Sequence, residues 1–426
     1  MKCYNTAIEI RNHTYKIGGV VSKQNMIFFI VSPYRASCYD WNNLILPENV
    51  LVFIAQNQIL KNNLEAKGIR CIEIPTKPYQ VGMEFLDIEH IDKYIDSYIE
   101  EVDIILHSEE EFYLDHIAVL NQKYKLNGFD EIQMSRFRNK YIMKSSISTK
   151  PEHFIVPKYT NDNTKILDIG FPAIIKPVDM GGGYRVKKLE SKNDLEEYLS
   201  LYPDTPYIIE EFITGDLILC DLLVYNGEIL KFMFSQSDSV EFATKNKSYI
   251  SAEIINDQSI IDLLKPASLE LVKLLEINRG MIHLEFIVNS NGAHFIEVGI
   301  RPGGGPLYQM YQMCYGVNIY NLHLYTSYLD NGTTLNNYIS QHLQQNKYCA
   351  CFYFLRQNEN TIEDFYIPKL DCSNQLTLYK ETWSARIKTN SLADRVANIL
   401  LFGNDAEEYL KAKHTLIEQH RISYKV

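Results

Sequence analysis

Short apolar runs alternate with polar, helix-compatible stretches over the first 130 residues. The runs are rich in Val, Ile, Leu and Phe and have the length of single strands. Such alternation is typical of parallel strands joined by crossover helices. It predicts strands at residues 26–31, 50–55, 70–74 and 102–106, with helices over 58–67, 89–99 and 112–125. The first part of the chain is therefore predicted to be an α/β unit.

A second unit is predicted to begin near residue 131, where the alternation stops. Its pattern predicts a helix at 134–146, a buried strand at 171–175, a glycine run at 181–183 and a helix at 194–200. Strands follow at 207–212, 218–225 and 228–234, and an amphipathic helix at 259–276. From residue 347 the pattern predicts further strands and a terminal helix at 406–418.

Residues 281–305 predict a β-hairpin with one apolar and one polar face. The apolar residues stand at even positions on both strands, and the odd positions carry Glu285 on the first strand and Phe295, Glu297 and Arg301 on the second. Even positions of the two strands share a face only if the loop has an odd number of residues. We therefore predict a three- or five-residue loop that contains Asn291 and Gly292, with Glu285 opposite Glu297.

Two facing carboxylates repel each other, so this pair calls for a cation. Mg²⁺ fits because it takes few protein carboxylates and completes its shell with phosphate oxygens and water. Arg301 and the glycines at 303–305 offer a guanidinium and exposed backbone N–H groups to an anion. If the two carboxylates are considered without Arg301 and the glycines, the alternative is that they are simply exposed on a solvated sheet face.

The composition excludes some classes of binding partner. The formal net charge is -11 and the isoelectric point about 5.5, which argues against a nucleic-acid or anionic membrane partner. The first 16 residues have no apolar leader segment, and no apolar run reaches the roughly 18 residues of a membrane span. The eight cysteines form no CxxC pair, and Cys349 and Cys351 are expected to be buried free thiols. These features predict a cytoplasmic protein.

The chain resembles the ATP-grasp superfamily over residues 135–324, because several motifs occur in the family's order. Arg138-Asn139-Lys140 with Met143-Lys144 resembles its first lysine helix, and residues 171–177 resemble the strand with its second lysine. The resemblance implies an ATP-grasp fold, α/β with an α+β ATP-binding part. The expected divisions are an N-terminal parallel-sheet domain at 1–130, two ATP-binding lobes at 131–210 and 211–345, and a C-terminal lid at 346–426.

The resemblance implies a role for each matching residue. Lys140 and Lys176 would bind ATP phosphates, although a solvated helix lysine and a strand-end lysine are the plainer alternatives. Gly181, Gly182 and Gly183 would close over the phosphates, unless they form an ordinary turn. The nucleotide hinge would comprise Glu210, Glu211, Phe212 and Ile213, and Asp216 would replace the usual ribose-binding acid, since Leu217 stands at its position.

The metal motif is also implied by the resemblance. Glu285 and Glu297 would hold one or two Mg²⁺ ions, with Mn²⁺ as a substitute, and Gly299 replaces an asparagine that binds the second metal in many members. His283 would contact substrate or nucleotide, or serve as a structural histidine.

The expected reaction follows from Arg301 and the residues after it. Biotin carboxylases carry an acidic residue where this chain has Gly305, whereas the segment 301–306 resembles L-amino-acid ligases. A carboxylate–amine ligase is therefore expected, with ATP and small carboxylate and amine substrates, Arg301 as the catalytic residue, and an acyl-phosphate intermediate. Homodimers are common among such relatives. Another ATP-grasp chemistry, such as carboxylation, and a non-catalytic nucleotide-binding protein remain alternatives.

Overall fold

The computed structural model of the protein describes residues 24–78, 84–147, 150–238, 248–329, 332–341, 345–385 and 394–425. Three main sheets with helices packed on them form the described part, which confirms the prediction of an α/β protein. The first 16 residues, which are predicted to contain no leader segment, lie outside it. None of the described helices has the length and apolarity needed to cross a membrane. Cys349 and Cys351 are buried free thiols, as expected.

The N-terminal sheet is parallel, as the sequence predicts. Its strands run in the order β3-β2-β1-β6, and a small antiparallel hairpin of β4 and β5 lies beside it. The elements are β1 (Gln24–Ile30), β2 (Val50–Ile54), α1 (Gln58–Glu65), β3 (Arg70–Glu73), β4 (Thr76–Pro78), β5 (Glu84–Leu86), α2 (Asp92–Tyr98), β6 (Val102–His107) and α3 (Leu114–Tyr124). Short 3₁₀ turns at Ala36–Cys38, Ile88–Ile91 and Glu111–Tyr113 connect them.

A small antiparallel sheet follows, in the strand order β7-β10-β8-β9. Its elements are α4 (Glu131–Arg138), α5 (Lys140–Ser145), β7 (Tyr159–Thr160), α6 (Ile166–Ile169), β8 (Ala173–Pro177), β9 (Lys187–Leu189), α7 (Lys192–Leu201) and β10 (Tyr207–Glu211), with a 3₁₀ turn at Asn163–Lys165.

The single helix predicted over residues 134–146 is wrong, because Asn139 breaks it. Asn139 has an extended backbone and ends α4. Its side chain then caps α5 by accepting the backbone N–H groups of Tyr141 and Ile142 at 3.0 and 3.1 Å. The Lys140 backbone N–H donates to the Val178 carbonyl at 2.9 Å, so the start of α5 is fixed to the end of β8.

An eight-stranded antiparallel sheet contains the hairpin, in the order β15-β14-β11-β12-β13-β16-β19-β18. The strands from the C-terminal part of the chain extend this sheet. The elements are β11 (Asp216–Tyr225), β12 (Glu228–Ser237), β13 (Tyr249–Ile254), α8 (Gln258–Leu274), β14 (Arg279–Asn289), β15 (Gly292–Gly299), α9 (Leu307–Tyr315), α10 (Ile319–Tyr328), α11 (Gly332–Ser340), β16 (Tyr348–Leu355), β17 (Ile362–Tyr366), β18 (Ser373–Leu378), β19 (Arg395–Gly403), α12 (Ala406–Gln419) and β20 (Arg421–Tyr424). A 3₁₀ turn at Lys380–Thr382 precedes β19, and β17 pairs with β20.

Helix α10 joins the N-terminal sheet to the large sheet. One buried cluster contains Phe29 of β1, Leu322 and Tyr325 of α10, and Leu219 and Met281 of the large sheet. Burying this much apolar surface stabilises the contact between the two sheets. The loops after β1 and β6 are thereby brought beside the hairpin.

The hairpin turn differs from the prediction, although Glu285 does lie opposite Glu297. Asn289 pairs with Gly292, so the loop has two residues, Ser290 and Asn291, and not three or five. A β-bulge at Ile296 restores the register, because Phe286 pairs with Phe295 and the next pair is Glu285 with Glu297.

The bulge also changes which side chains are buried. Phe295, predicted on the face of Glu297, is fully buried against Phe286 with the ring centroids 6.2 Å apart. Ile296, predicted in the apolar set, is the extra residue and is only half-buried. The assignment of both residues by simple alternation was therefore wrong.

Candidate active site

Glu285 and Glu297 face each other on β14 and β15, and both side chains remain partly open to solvent. His283, two residues before Glu285, places Nε2 at 3.5 Å from Glu285 Oε1. Burial would raise the pKa of Glu285, but His283 and Lys176 together hold it below its usual value. Glu285 is thus kept ionised, which suits it to a divalent cation.

The two predicted phosphate lysines converge on this pair. Lys140, at the start of α5, has Nζ at 3.4 Å from Glu297 Oε2, and Lys176, in β8, has Nζ at 4.0 Å from the same oxygen. Lys140 also donates to the Met180 carbonyl at 2.5 Å. The plainer alternatives, a solvated helix lysine and a strand-end lysine, do not fit, because both lysines are buried beside an acidic residue.

Glu210 holds Lys176 from the other side. Its carboxylate lies 2.8 Å from Lys176 Nζ and 3.1 Å from Lys144 Nζ, and Lys144 also donates to the Phe295 carbonyl at 2.9 Å. Burial acts to raise the pKa of Glu210, but the two lysines lower it to about 2. The Glu210 side chain is therefore committed to positioning lysines.

The predicted glycine loop connects β8 to β9. Gly182 and Gly183 have φ of 64° and 72°, a backbone region that favours glycine. A Cβ at Gly181 would lie 3.0 Å from Glu111 Oε2, so a side chain here would crowd that carboxylate.

Arg301 is held by an acidic residue of the N-terminal unit. Its Nε and Nη2 lie 2.9 and 2.8 Å from Glu111 Oε2, and Arg138 Nη1 lies 2.7 Å from Glu111 Oε1. Burial acts to raise the pKa of Glu111, but Arg301 and Arg138 hold it far below the ordinary range. Arg138 also donates to the Asp179 carbonyl at 2.9 Å, which links this triad to the glycine loop.

Asp221 of β11 organises the segment after Arg301. It is fully buried and accepts hydrogen bonds from Gly303 N at 3.0 Å and from the Tyr311 hydroxyl at 2.8 Å. His283 Nδ1 lies 3.0 Å from the same carboxylate. Burial acts to lower the pKa of His283, but the Asp221 charge raises it to about 10. His283 thus bridges Asp221 and Glu285.

The predicted nucleotide hinge lies between β10 and β11. The Glu211 backbone N–H donates to the Lys158 carbonyl at 2.8 Å, and Lys188 Nζ stands 4.2 Å from the centre of the Phe212 ring. Ile213 follows Phe212 in the same connection. Asp216 is exposed and accepts from Gln236 Nε2 at 3.0 Å, whereas Leu217 packs against the core. Asp216 is therefore the acidic residue at the end of the hinge whose side chain is exposed to solvent.

The ligands that this site offers fit a cation that also binds phosphate oxygens. Within the described residues, no cluster of three His, Cys, Asp or Glu side chains forms a complete metal site. Glu285 and Glu297 alone suit Mg²⁺, which keeps several sites for phosphate oxygens and water. Gly299, opposite His283, adds no ligand side chain.

Comparison with known proteins identifies this arrangement. The ATP-grasp domain model matches residues 137–305, which contain both lysines, the glycine loop, both carboxylates and Arg301. Over these residues the sequence matches the ATP-grasp domain family. Among its relatives is a D-alanine–D-alanine ligase of Halothermothrix orenii, 29% identical over 146 residues, or 32% of this chain and 42% of that protein. The chain spans half or less of the length of the curated relatives it matches first.

Solved structures share the fold over nearly the whole chain. An L-amino acid ligase from Bacillus licheniformis superposes with a TM-score of 0.71 at 15% identity, covering 95% of this chain and all of that one. A phosphoribosylglycinamide synthetase from Anaerococcus prevotii gives 0.63 at 17% identity, with 94% and 100% covered. At these identities the likeness concerns the fold.

Four residues of this ATP-grasp site were not among the sequence-predicted ones: Glu111, Arg138, Lys144 and Asp221. Arg138 and Lys144 belong to the motif around Lys140, which could have suggested them. Glu111 lies 190 residues before Arg301, and Asp221 lies 62 residues before His283. Asp221 does break the apolar run of its strand, and a charged residue in such a run is seldom buried unpaired. That was the available signal for Asp221.

Proposed function

We propose that the chain is an ATP-dependent ligase that joins a small carboxylate to an amine through an acyl phosphate. The observation that carries this proposal is the convergence of Lys140 and Lys176 on Glu297, which lies opposite Glu285. Two cations beside two carboxylates match the charge pattern of a triphosphate with a divalent metal. The names of the D-alanine–D-alanine ligase and the L-amino acid ligase support the same reaction class.

Each group has a proposed role. Lys140 and Lys176 bind phosphate oxygens, Gly181–Gly183 cover them, and the hinge from Glu211 to Asp216 receives the nucleoside. Mg²⁺, or Mn²⁺ in its place, would be held by Glu285 and Glu297 and would neutralise the phosphate charge during transfer. Arg301 stabilises the negative charge that develops on the transferring phosphoryl group and on the acyl oxygen.

The proposed chemistry has two steps. An oxygen of the substrate carboxylate attacks the γ-phosphorus, and the bond to the β-phosphate oxygen breaks, which releases ADP. The amine nitrogen then attacks the acyl carbon, phosphate leaves, and the nitrogen loses a proton. The protein contributes position and charge compensation in both steps.

The test is ADP release from the full chain with ATP and Mg²⁺, using pools of amino acids as donors and acceptors. We expect substrate-dependent ADP and phosphate in equal amounts, with an amide product identified by mass spectrometry. AMP with pyrophosphate would exclude an acyl phosphate. ADP release that requires bicarbonate would indicate carboxylation. Tight ATP binding with no substrate-dependent turnover would indicate a nucleotide-binding protein. Cytoplasmic location and homodimer formation stay predictions.

A further inference from the structure

We infer that Arg35 binds the carboxylate of the amine substrate, so that the acceptor is an amino acid or another amine that carries a carboxylate. This inference rests on the proposed ligase function and specifies its acceptor. Arg35 lies in the loop after β1, and the sequence pattern gave no reason to select it.

Arg35 reaches the segment that follows the proposed catalytic arginine. A Cβ built on Gly304 would lie 3.9 Å from Arg35 Nη2 and 4.0 Å from Nη1. Only the bare backbone of Gly304 therefore stands between this guanidinium and the Arg301 segment. The two guanidiniums are also close enough to repel each other. A ligand at Arg35 would lie beside the reacting groups.

Arg35 also has a hydrogen-bond donor without a partner among the described residues. Its Nε is buried and makes no hydrogen bond within the described part of the chain. Glu110 Oε2 is 3.6 Å from this nitrogen, which is too long for a hydrogen bond. Buried donors are normally satisfied, so an unpaired one suggests a ligand. The side chain is 26% exposed, which leaves it open to such a ligand.

The neighbouring arginines are already engaged. Arg301 and Arg138 both bond to Glu111 at 2.9 Å or less, whereas the ion pair of Arg35 with Glu110, among the described residues, is longer at 3.6 Å. A guanidinium matches a carboxylate through two parallel hydrogen bonds. A phosphate monoester has the same geometry but carries more negative charge, and the carboxylates of Glu109 and Glu110 nearby disfavour a dianion. The carboxylate is therefore the preferred ligand.

This placement has a geometric consequence for the reaction. In an α-amino acid the amine is one carbon from the carboxylate. A carboxylate bound to Arg35 therefore holds the amine close to Gly304 and the segment of Arg301, where the acyl carbon would be presented.

The test compares acceptors with and without a carboxylate. The donor is fixed as the amino acid that triggers ADP release, and glycine, alanine and leucine are compared as acceptors with glycinamide, alaninamide and leucinamide. Phosphoethanolamine is included as an amine that carries a phosphate monoester in place of a carboxylate. We expect the wild type to use acids at least tenfold better than amides, as measured by kcat/KM. In Arg35→Gln the KM for the acid should rise at least tenfold, the preference over the amide should vanish, and the KM for ATP should change less than twofold.

Three further variants separate binding from folding. Arg35→Lys keeps the charge without the paired geometry and should give an intermediate KM. The double variant Arg35→Gln/Glu110→Gln removes both charges and should retain the loss of preference if the single variant is unstable. Arg70→Gln, an exposed arginine of the same sheet, should behave as the wild type.

Equal use of acids and amides by the wild type would overturn the inference and leave the ligase function standing. So would a preference for phosphoethanolamine, or an Arg35→Gln variant whose KM for ATP rises as much as that for the acceptor. Absence of ADP release with every amine would instead overturn the ligase function itself.

Discussion

The Arg301 guanidinium donates from Nε to Oε2 of Glu111 at 2.9 Å, and its Nη2 forms an ion pair with the same oxygen at 2.8 Å. The other oxygen of Glu111 is bound by Arg138. One carboxylate of the N-terminal unit therefore orients the arginine that is proposed to stabilise the transferring phosphoryl group. This relationship leads to the first prediction.

We expect Glu111→Gln to lower both stability and turnover. The amide leaves the buried Arg301 without its ion-pair partner and leaves Arg138 with Asp115 alone, which costs about 3 kcal/mol of unfolding free energy, and Arg301 loses its orientation. Urea denaturation and steady-state ADP release measure the two effects. Asp115→Asn is the matched control, because Asp115 also contacts Arg138 but is half exposed. Equal effects of the two substitutions would mean that Arg301 does not depend on Glu111.

Arg301→Ala should reduce kcat by about 10²–10³-fold and change the affinity for ATP much less. The reason is that the guanidinium is proposed to act on charge that develops only during reaction. Arg301→Lys should retain part of the rate. Steady-state kinetics combined with ATP binding in the absence of acceptor distinguish the two effects, and a parallel loss of both would assign Arg301 to ground-state binding.

Glu297→Gln should raise the Mg²⁺ concentration needed for half-maximal activity and lower turnover on the order of 100-fold. The substitution removes half of the carboxylate pair and leaves Lys140 and Lys176 without their shared partner. A magnesium titration of ADP release measures the change. Glu228→Gln, at an exposed turn of the same sheet, serves as the control. Turnover near that of the wild type would refute the metal role.

His107 and His323 should make the protein sensitive to acid. Both are buried, with ring centroids 4.7 Å apart, and burial lowers the pKa of His323 from 6.5 to about 4. Between these pH values the unfolded chain therefore binds protons on these histidines, whereas the folded protein keeps them neutral. Above pH 6.5 these two histidines should make a constant contribution to the free energy of unfolding. As the pH falls towards 4 this contribution should be lost, and for His323 the loss is on the order of 3 kcal/mol.

Urea denaturation at pH 7.5, 6, 5 and 4.5 measures this dependence. His323→Asn keeps an acceptor for the Met281 N–H, which now bonds to His323 Nδ1 at 3.0 Å, and should flatten the curve. His414→Asn, at an exposed helix position, should leave the curve unchanged. A wild-type curve that stays flat between pH 6.5 and 4.5 would contradict the prediction.

The periodicity of the sequence predicted the parallel N-terminal sheet and most strands, because each is encoded by local apolar pattern. The opposition of Glu285 and Glu297 was also predictable, since both apolar faces had to be buried together. The turn was not, because a bulge adds one residue without leaving a mark in the pattern. The partners of Arg301 and His283 were missed for another reason: Glu111 and Asp221 meet them only through tertiary packing between sheets.

The extra residue at Ile296 affects how the sequence should be aligned with others. The hydrogen-bonded ladder on its turn side has one register, and the ladder on its catalytic side has another. A relative that lacks one residue at Ile296 would still bring its two carboxylates face to face. A relative that lacks one residue between Glu297 and Arg301 would turn its arginine to the opposite side of the sheet. The position of a single-residue gap in this strand, more than overall identity, should therefore show which homologues preserve the site.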